Sequence, residues 1–314
     1  MTTTLIHDRA ELEAIQRDGN YRLANDIDLT DAPWTPLFTS AAPFIGLFDG
    51  DGHSICGLQV NKAGVDYCGL FTFHGYGGTI LNLHLNEASV IGGSYSAVLA
   101  GYNRGTILNC SVNGVVTAGG SSGVLVGFNN GLIEGCFSEG SISNTAHYCG
   151  GLAAYNDTAG VIRHCYSKAA VTSSGSHIGG LTGRNGGGKI IHSFSTGKVI
   201  GATSTGGLVG SVFTSHANYA CTGNYWNTTT SERSSSACGS GRNTSQMKTQ
   251  STFAGWDFET VWQMPEDSYP RLSWENIEAD LIERIGILPD VSIYQTRSFV
   301  HGQNVNLYSK ASAK

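Results

Sequence analysis

A unit of 26 to 29 residues repeats through the middle of the chain and constrains its fold more than any other feature. Each copy carries a leucine at one fixed place: Leu70, Leu99, Leu125, Leu152, Leu181 and Leu208. Four of the copies have an asparagine four residues further on: Asn103, Asn129, Asn156 and Asn185. A β-branched segment and a third short apolar segment follow, so each copy predicts three short strands separated by turns.

A unit of this size cannot bury its apolar side alone, but stacked units can. Each coil would add strands parallel to those of the coil before it, about 4.8 Å further along the axis. Equivalent residues then form columns, and a column of asparagines can hydrogen-bond along the axis. We also expect these asparagines to take the left-handed backbone of a turn. Leucine-rich repeats have a denser leucine pattern. The sequence therefore predicts an all-β fold, a parallel β-helix (β-solenoid).

Composition agrees with this prediction and excludes several classes of function. The chain has 43 glycines and only 13% charged residues, which is unusual for a compact helical enzyme. Its net charge of −6 and lack of a basic run argue against nucleic acid as a partner. The N-terminus has no apolar stretch behind a positive region, and no window is apolar enough for a membrane span. We therefore expect no Sec signal peptide, no membrane insertion, and export by another route, such as on a virion.

The eight cysteines follow the repeat instead of a disulfide framework. Cys110, Cys136 and Cys165 share one position, which predicts a packing column of free thiols. Strict alternation would place these cysteines outside and a kink would place them inside, and the sequence does not decide. Cys221 and Cys238 lie off the repeat and are the pair we consider for a bridge.

The ends of the chain predict caps for the solenoid. Residues 1–65 would form an N-terminal cap and the first coils, with a helix that Asp8 caps and that carries Leu12 and Ile15. Residues 66–215 would form the repeats. Residues 216–274 would form an aromatic C-terminal cap in which Trp226, Trp256, Trp262 and Trp274 plug the last coil. Residues 275–314 read as a tail that serves as a docking or oligomerisation arm in a homo-oligomer or larger assembly.

The repeat resembles a known family. Copies of GGLVG-x-N-x-G-x-I-x-x-C-x-S-x-G are similar to the GLUG-type repeats of bacterial surface proteins, adhesins and some phage tail proteins. The segment YRLANDIDLT and the segments from NYWNTTTS to YPRL resemble that family's lead-in and closing modules, so the likeness spans residues 7 to 274. The resemblance implies a β-helical stalk or binding surface outside the cell, and no single activity. Family members are usually longer and exported with a signal, whereas this chain starts without one.

No set of residues in the sequence predicts a catalytic, metal or cofactor site. Glycan-cleaving β-helix enzymes need paired carboxylates, a calcium cluster or a basic residue in a groove. Glu134 and Glu139 lie in columns that hold no second acid, and Asp49 and Asp51 lie in a turn where Asp-Gly is ordinary. His164 and His192 share a column, but two ligands do not make a metal site.

A column of aromatic residues is the candidate ligand-binding site. Its members lie three residues beyond the repeat leucine: Phe73, Tyr102, Phe128, Tyr155 and then Arg184. If the leucine points inward, alternation directs these side chains outward, where they suit stacking on sugars or docking of a protein. The structural alternative is an aromatic ladder that stiffens the turn.

Two classes of function remain open. The sequence favours a non-enzymatic extracellular recognition or structural protein, adhesin-like or part of a phage virion (tail, fibre or decoration), that binds a surface glycan or a partner protein. The alternative is a polysaccharide-degrading lyase or glycoside hydrolase on the same scaffold.

Overall fold

The computed structural model describes residues 2–275, and a column of leucines forms the centre of this part of the chain. All six repeat leucines are fully buried. Each of Leu125, Leu152 and Leu181 donates its backbone N–H to the carbonyl of the equivalent leucine in the next coil, at 2.8 to 3.0 Å. The predicted stack and the parallel β-helix are therefore confirmed. The predicted arm of residues 275–314 lies, beyond Glu275, outside the described residues.

Four parallel sheets run along the axis, and neighbouring strands within each sheet come from successive coils. Sheet 1 has nine strands: Thr4–Ile6, Asn20–Leu23, Leu47–Asp49, Thr79–Leu81, Thr106–Leu108, Leu132–Glu134, Val161–Arg163, Lys189–Ile191 and Ala220–Thr222. Sheet 2 has six strands: Phe71–His74, Ala100–Asn103, Val126–Asn129, Ala153–Asn156, Thr182–Asn185 and Val209–Val212.

Sheet 3 and sheet 4 complete the wall of the solenoid. Sheet 3 contains twelve strands: Ile27–Asp28, Ser54–Cys56, Gln59–Asn61, His84–Gly92, Ser111–Ala118, Phe137–Asn144, Tyr166–Ser167, Ala170–Ser173, Phe194–Ser195, Val199–Ile200, Tyr225–Asn227 and Ser240–Arg242. Sheet 4 has four short strands: Ser122–Gly123, Cys149–Gly150, Ser176–Gly179 and Thr203–Gly206. Pairing within these four sheets is parallel and keeps equivalent residues of successive coils opposite one another.

A left-handed residue between sheets 1 and 3 decides where the cysteines point. The residue before each cysteine of the column, such as Asn109 or Gly135, has a φ of 50° to 61°. This kink interrupts the alternation and turns Cys110, Cys136 and Cys165 inward, where they are buried as free thiols.

The left-handed corner is not where we expected it. The asparagines of the repeat are absent from the residues with positive φ, so that expectation is wrong. The corner is instead the column Asn82, Asn109, Gly135, His164, His192 and Gly223. The repeat asparagines are conformationally ordinary and fully buried, and their amides hydrogen-bond along the axis as predicted.

A short helix caps the N-terminal end, as predicted. It spans Arg9–Glu13, and the Asp8 side chain accepts a hydrogen bond from the Glu11 backbone N–H at 2.9 Å. Leu12 and Ile15 are buried in the main core.

The C-terminal module closes the last coil and also extends along the flank of the solenoid. It contains the helices Thr228–Ser231 and Thr244–Met247, the 3-10 turn Gln250–Thr252, and an antiparallel pair, Trp262–Gln263 with Arg271–Leu272. Of the four tryptophans expected to plug the end, only Trp226 joins the main core. Trp256 and Trp262 form a second core on the flank, and Trp274 donates its Nε1–H to the Gly135 carbonyl, three coils before the end.

A disulfide joins Cys221 to Cys238 in the last coil. Cys221 pairs with Ile190 in sheet 1, at the position that isoleucine fills in earlier coils. The one pair considered from the sequence is therefore bridged, and the other six cysteines are free.

Candidate binding face

The predicted aromatic column lies on the outer side of sheet 2. In its strands the residue after the ring is the buried asparagine, so alternation directs the ring outward. Tyr102, Phe128 and Tyr155 stack almost parallel, with centroids 5.1 and 5.0 Å apart and planes 4° apart. Phe73 extends the stack 5.6 Å from Tyr102. The four rings are half-buried, which leaves their outer edges accessible.

Arg184 occupies the next position of the same column, in place of a ring. Its strand pairs in register so that Arg184 lies opposite Tyr155 on one side and Ser211 on the other. The guanidinium carbon lies 5.7 Å from the centroid of Tyr155 and 5.6 Å from that of Tyr148. Arg184 also donates from Nη1 to the Tyr148 hydroxyl at 3.2 Å. The column therefore ends in a cation that lies over two rings.

A second column, missed in the sequence, runs beside the first. Its members are Tyr67, Tyr95, Tyr148 and His177, all with φ between 56° and 64°. Tyr67 stacks on Tyr95 at 5.4 Å, and Tyr148 stacks on His177 at 4.9 Å. These residues precede the repeat leucine by three or four positions, a spacing that a comparison of the copies would have revealed.

The two columns interlock into one surface. Tyr67 contacts Phe73 at 4.9 Å, and Tyr95 meets Phe128 edge-on at 5.3 Å. We call this surface the aromatic face: Phe73, Tyr102, Phe128, Tyr155 and Arg184 with Tyr67, Tyr95, Tyr148 and His177. Sequence reasoning thus identified half of a face that is two side chains wide.

The aromatic face has a carboxylate, Asp66, near its N-terminal end, and both a guanidinium, Arg184, and a carboxylate, Asp157, near its C-terminal end. Burial, reinforced by the Asp66 carboxylate, raises the pKa of Tyr67 at the N-terminal end. At the C-terminal end, burial together with Arg184 and His147 lowers the pKa of His177. The Tyr67 phenol is therefore protonated at neutral pH and can donate a hydrogen bond, and His177 is neutral there.

A buried polar ladder on the inner side of sheet 2 supports the face. The Asn103 amide oxygen accepts from His74 Nδ1 at 2.7 Å, and Asn103, Asn129 and Asn156 each donate to the next asparagine at 2.8 to 3.0 Å. His74 is fully buried, and burial lowers its pKa to about 4. The asparagine hydrogen bonds hold the strands in register, whereas the buried His74 Nε2 has no hydrogen-bond partner among the described residues.

The acidic and histidine residues considered from the sequence lie elsewhere and form ion pairs. Glu134 binds Arg163 at 2.6 Å and lies 3.6 Å from His164. Burial raises the pKa of Glu134, but the hydrogen bonds from His164 and Arg163 outweigh it and the net pKa is lowered. Glu139 binds Lys168 at 2.6 Å. Among residues 2–275, no three His, Cys, Asp or Glu side chains are grouped to hold a metal ion.

Comparison with protein families identifies one repeat. Residues 174–200 match the family model described as the GLUG motif. The match covers the coil that carries His177 and Arg184. The resemblance predicted from the repeats is therefore confirmed: the chain is a β-solenoid that carries the GLUG motif.

Two relatives share part of the chain. Halomucin of Haloquadratum walsbyi is 34% identical over 125 residues, which cover 34% of this chain. A candidate Gly-rich membrane protein of Evansella cellulosilytica is 34% identical over 102 residues, which cover 30% of this chain. The aligned parts span 1% and 12% of those two proteins. In the part of this chain that the structure describes, no helix combines the length and apolar character needed to cross a bilayer.

A solved structure shares the fold. The crystal structure of a candidate immunoglobulin A1 protease from Bacteroides ovatus superimposes with a TM-score of 0.62 at 21% identity, over 86% of this chain and 92% of that one. At this identity the likeness establishes the architecture alone.

Proposed function

We propose that this β-solenoid is a non-enzymatic recognition module of an extracellular or virion surface, and that it binds carbohydrate chains on its aromatic face. The observation that carries this proposal is the continuous stack of half-exposed rings from Phe73 to Tyr155. Rings present flat apolar surfaces, and the C–H faces of sugars pack well against them. The tyrosine hydroxyls supply donors and acceptors for sugar hydroxyls.

The repeat of the face suits a polymer better than a single sugar. Each coil offers one ring of the first column, about 4.8 Å beyond the last. A chain of sugars lying along the axis would therefore meet equivalent contacts coil after coil. Many weak, equivalent contacts give useful affinity through multivalency without a deep pocket.

Two further observations support a surface location. One relative is named a membrane protein and the other Halomucin. The Cys221–Cys238 disulfide fits an oxidising compartment outside the cytosol.

The alternative, a polysaccharide-degrading enzyme, lacks a matching arrangement at this face. Two carboxylates lie near the face: the charge of Asp66 raises the pKa of Tyr67, and the charge of Asp157 raises the pKa of Tyr155. These two tyrosines are three coils apart, about 14 Å at the spacing of parallel strands. Inverting glycosidases hold their two carboxyl groups only about 6.5 to 9.5 Å apart. The face is therefore a binding surface in our proposal, without acid-base chemistry.

The test is a binding measurement on a panel of polysaccharides by affinity electrophoresis and calorimetry. The double variant Tyr102→Ala/Phe128→Ala should bind at least ten-fold more weakly than the parent chain, because two neighbouring rings are lost. Tyr76→Ala is the matched control, since Tyr76 is 85% exposed and lies off the face. Equal losses in both variants, binding of a protein but of no glycan, or release of new reducing ends would each overturn the proposal.

A further inference from the structure

We infer that the aromatic face is specific for acidic carbohydrate chains, whose carboxylate or sulfate groups bind at the Arg184 end. This inference rests on the proposed function and names the class of glycan that the same face selects.

The first observation is the replacement of a ring by a guanidinium within one column. Arg184 continues the register of Tyr102, Phe128 and Tyr155, and it lies against Tyr155 as a fifth ring would. A sugar that stacks over Tyr155 therefore has a planar cation directly beside it. Guanidinium groups bind carboxylates and sulfates through paired, charge-assisted hydrogen bonds.

The second observation is that Arg184 has no acidic partner among residues 2–275. Several other cations of the protein are paired with acids: Arg163 with Glu134, Lys168 with Glu139, and Lys198 with Glu232. Arg184 makes contact instead with the neutral Tyr148 hydroxyl and two ring faces. Its charge is therefore available to an anion from outside.

The third observation is that two histidines lie beside this arginine. His177 stacks on Tyr148, and the His147 ring lies 6.5 Å from the His177 ring. The His177 Nδ1 atom is buried and has no hydrogen-bond partner among the described residues. The histidines thus add a polar atom without a partner beside the guanidinium, and His177 adds no charge at neutral pH because its pKa is lowered.

The opposite end of the face carries a carboxylate. Asp66 lies there and raises the pKa of Tyr67 and, to a smaller degree than burial does, that of Tyr95. Asp157 lies near Tyr155 at the Arg184 end and would also repel an acidic chain, so the attraction at that end rests on the Arg184 guanidinium itself.

The experiment compares polysaccharides that share a backbone and differ in charge. A polyuronate, its methyl ester and a sulfated form of the same polymer are titrated against the full chain at low and at moderate salt. The parent protein should bind the polyuronate or the sulfated form at least ten-fold more tightly than the neutral ester. This preference should shrink as salt rises, because screening weakens charge contacts more than stacking.

Two substitutions at the cationic end make the test specific. Arg184→Met keeps the length and apolar stem of the side chain, and it should remove the preference for the acidic polymer over the neutral ester. Ser211→Glu should also remove the preference for the acidic polymer. Residue 211 lies opposite Arg184 in the neighbouring coil, so the new carboxylate would form an ion pair with the guanidinium. Ser211→Gln is the matched control and should keep the preference.

The outcomes separate this inference from the proposed function. Binding that requires Phe128 and shows no preference for acid, or a preference that survives Arg184→Met, overturns the inference and leaves the proposed function standing. Failure of every polysaccharide to bind overturns both. Tight binding of the polyuronate and not of the sulfated form, or the reverse, supports the inference and identifies the acidic group.

Discussion

Two stacks of aromatic rings on the outside of the solenoid can be compared, and the described residues cover one of them and leave the other open. On the flank of sheet 3, Phe137, Tyr166 and Phe194 stack at 4.8 and 5.0 Å, and the C-terminal module packs over them. On the outer side of sheet 2, Tyr102, Phe128 and Tyr155 stack at nearly the same spacing and remain half-exposed. A ring stack is therefore a consequence of the repeat, and what covers it decides whether it becomes core or binding surface.

Each stack also carries a cation over its rings, and the two cations differ. Lys168 lies 5.3 Å from the centroid of Tyr166 on the covered flank, and Glu139 neutralises it. Arg184 lies 5.7 Å from Tyr155 on the aromatic face without an acidic partner among the described residues. Arg242 lies 5.6 Å from Tyr225 in the covered core and also has no ion pair among the described residues, so the exposure of the rings beneath a cation matters as well as its pairing.

The largest expected effect is a loss of stability when the core that covers the flank of sheet 3 is disrupted. Trp262 is fully buried, with its ring 5.9 Å from Phe194 and 4.4 Å from Trp256. Trp262→Ala should lower the free energy of unfolding by about 3 to 5 kcal/mol, as for other large-to-small changes in a core. The measurement is urea denaturation followed by tryptophan fluorescence and circular dichroism.

Phe128→Ala is the matched change on the aromatic face. Since Phe128 is half-exposed, the substitution should cost only about 1 to 2 kcal/mol. Equal costs for the two variants would contradict the distinction between a covered and an open stack.

Lowering the pH should destabilise the protein through His74, which lies on the inner side of sheet 2. His74 is fully buried with a pKa of about 4, against 6.5 in the unfolded chain. Below pH 6.5 the unfolded state therefore binds more protons than the folded state. The stability is complete above pH 6.5 and falls as the pH drops to about 4, by up to about 3 kcal/mol.

Replacement of the histidine tests the source of this pH dependence. His74→Asn places at this position the same residue that follows at Asn103 and Asn129 in the ladder. The variant should lose the fall in stability between pH 6.5 and 4 while its aromatic face still binds. Denaturation curves across this pH range that are parallel for both proteins would rule out His74 as the cause.

The disulfide should stabilise the covered side without affecting the open face. Cys221 and Cys238 close a loop of 17 residues in the coil that leads into the C-terminal module. Loop-closure entropy predicts that Cys221→Ser/Cys238→Ser loses about 3 kcal/mol. Thermal denaturation of the variant and of the reduced parent should agree, and glycan binding at the aromatic face should be unchanged. A loss of binding would show that the two sides are coupled.

The leucine and asparagine columns could be predicted from the sequence, whereas the second aromatic column was missed. Leu125 and Asn129 recur at fixed spacings, so their burial and stacking followed from periodicity alone. Tyr148 escaped notice because left-handed positions usually select glycine or asparagine, so the sequence gives no reason to expect an aromatic column at such positions.

The covered flank could not be predicted for a different reason. Trp274 reaches Gly135 across 139 residues of sequence, and no local pattern encodes so distant a contact. The left-handed corner at Asn109 and His164 was likewise assigned to the wrong column, because asparagine suits both an amide ladder and a left-handed turn. Only the backbone distinguishes these two uses.

The smallest expected effect on stability comes from removing the acidic partner of Lys168, which then resembles Arg184 in having none. Glu139→Gln removes the acidic partner of Lys168, and both side chains are 35% exposed. An ion pair of this exposure contributes little, so the unfolding free energy should fall by less than about 1 kcal/mol. The freed Lys168 should not create a second site for acidic glycans, because the module covers the rings beneath it. Arg184→Met should change stability equally little and yet remove the preference for acidic chains. If Glu139→Gln did gain binding of a polyuronate, an unpaired cation over rings would suffice for recognition, and the open surface of sheet 2 would not be required.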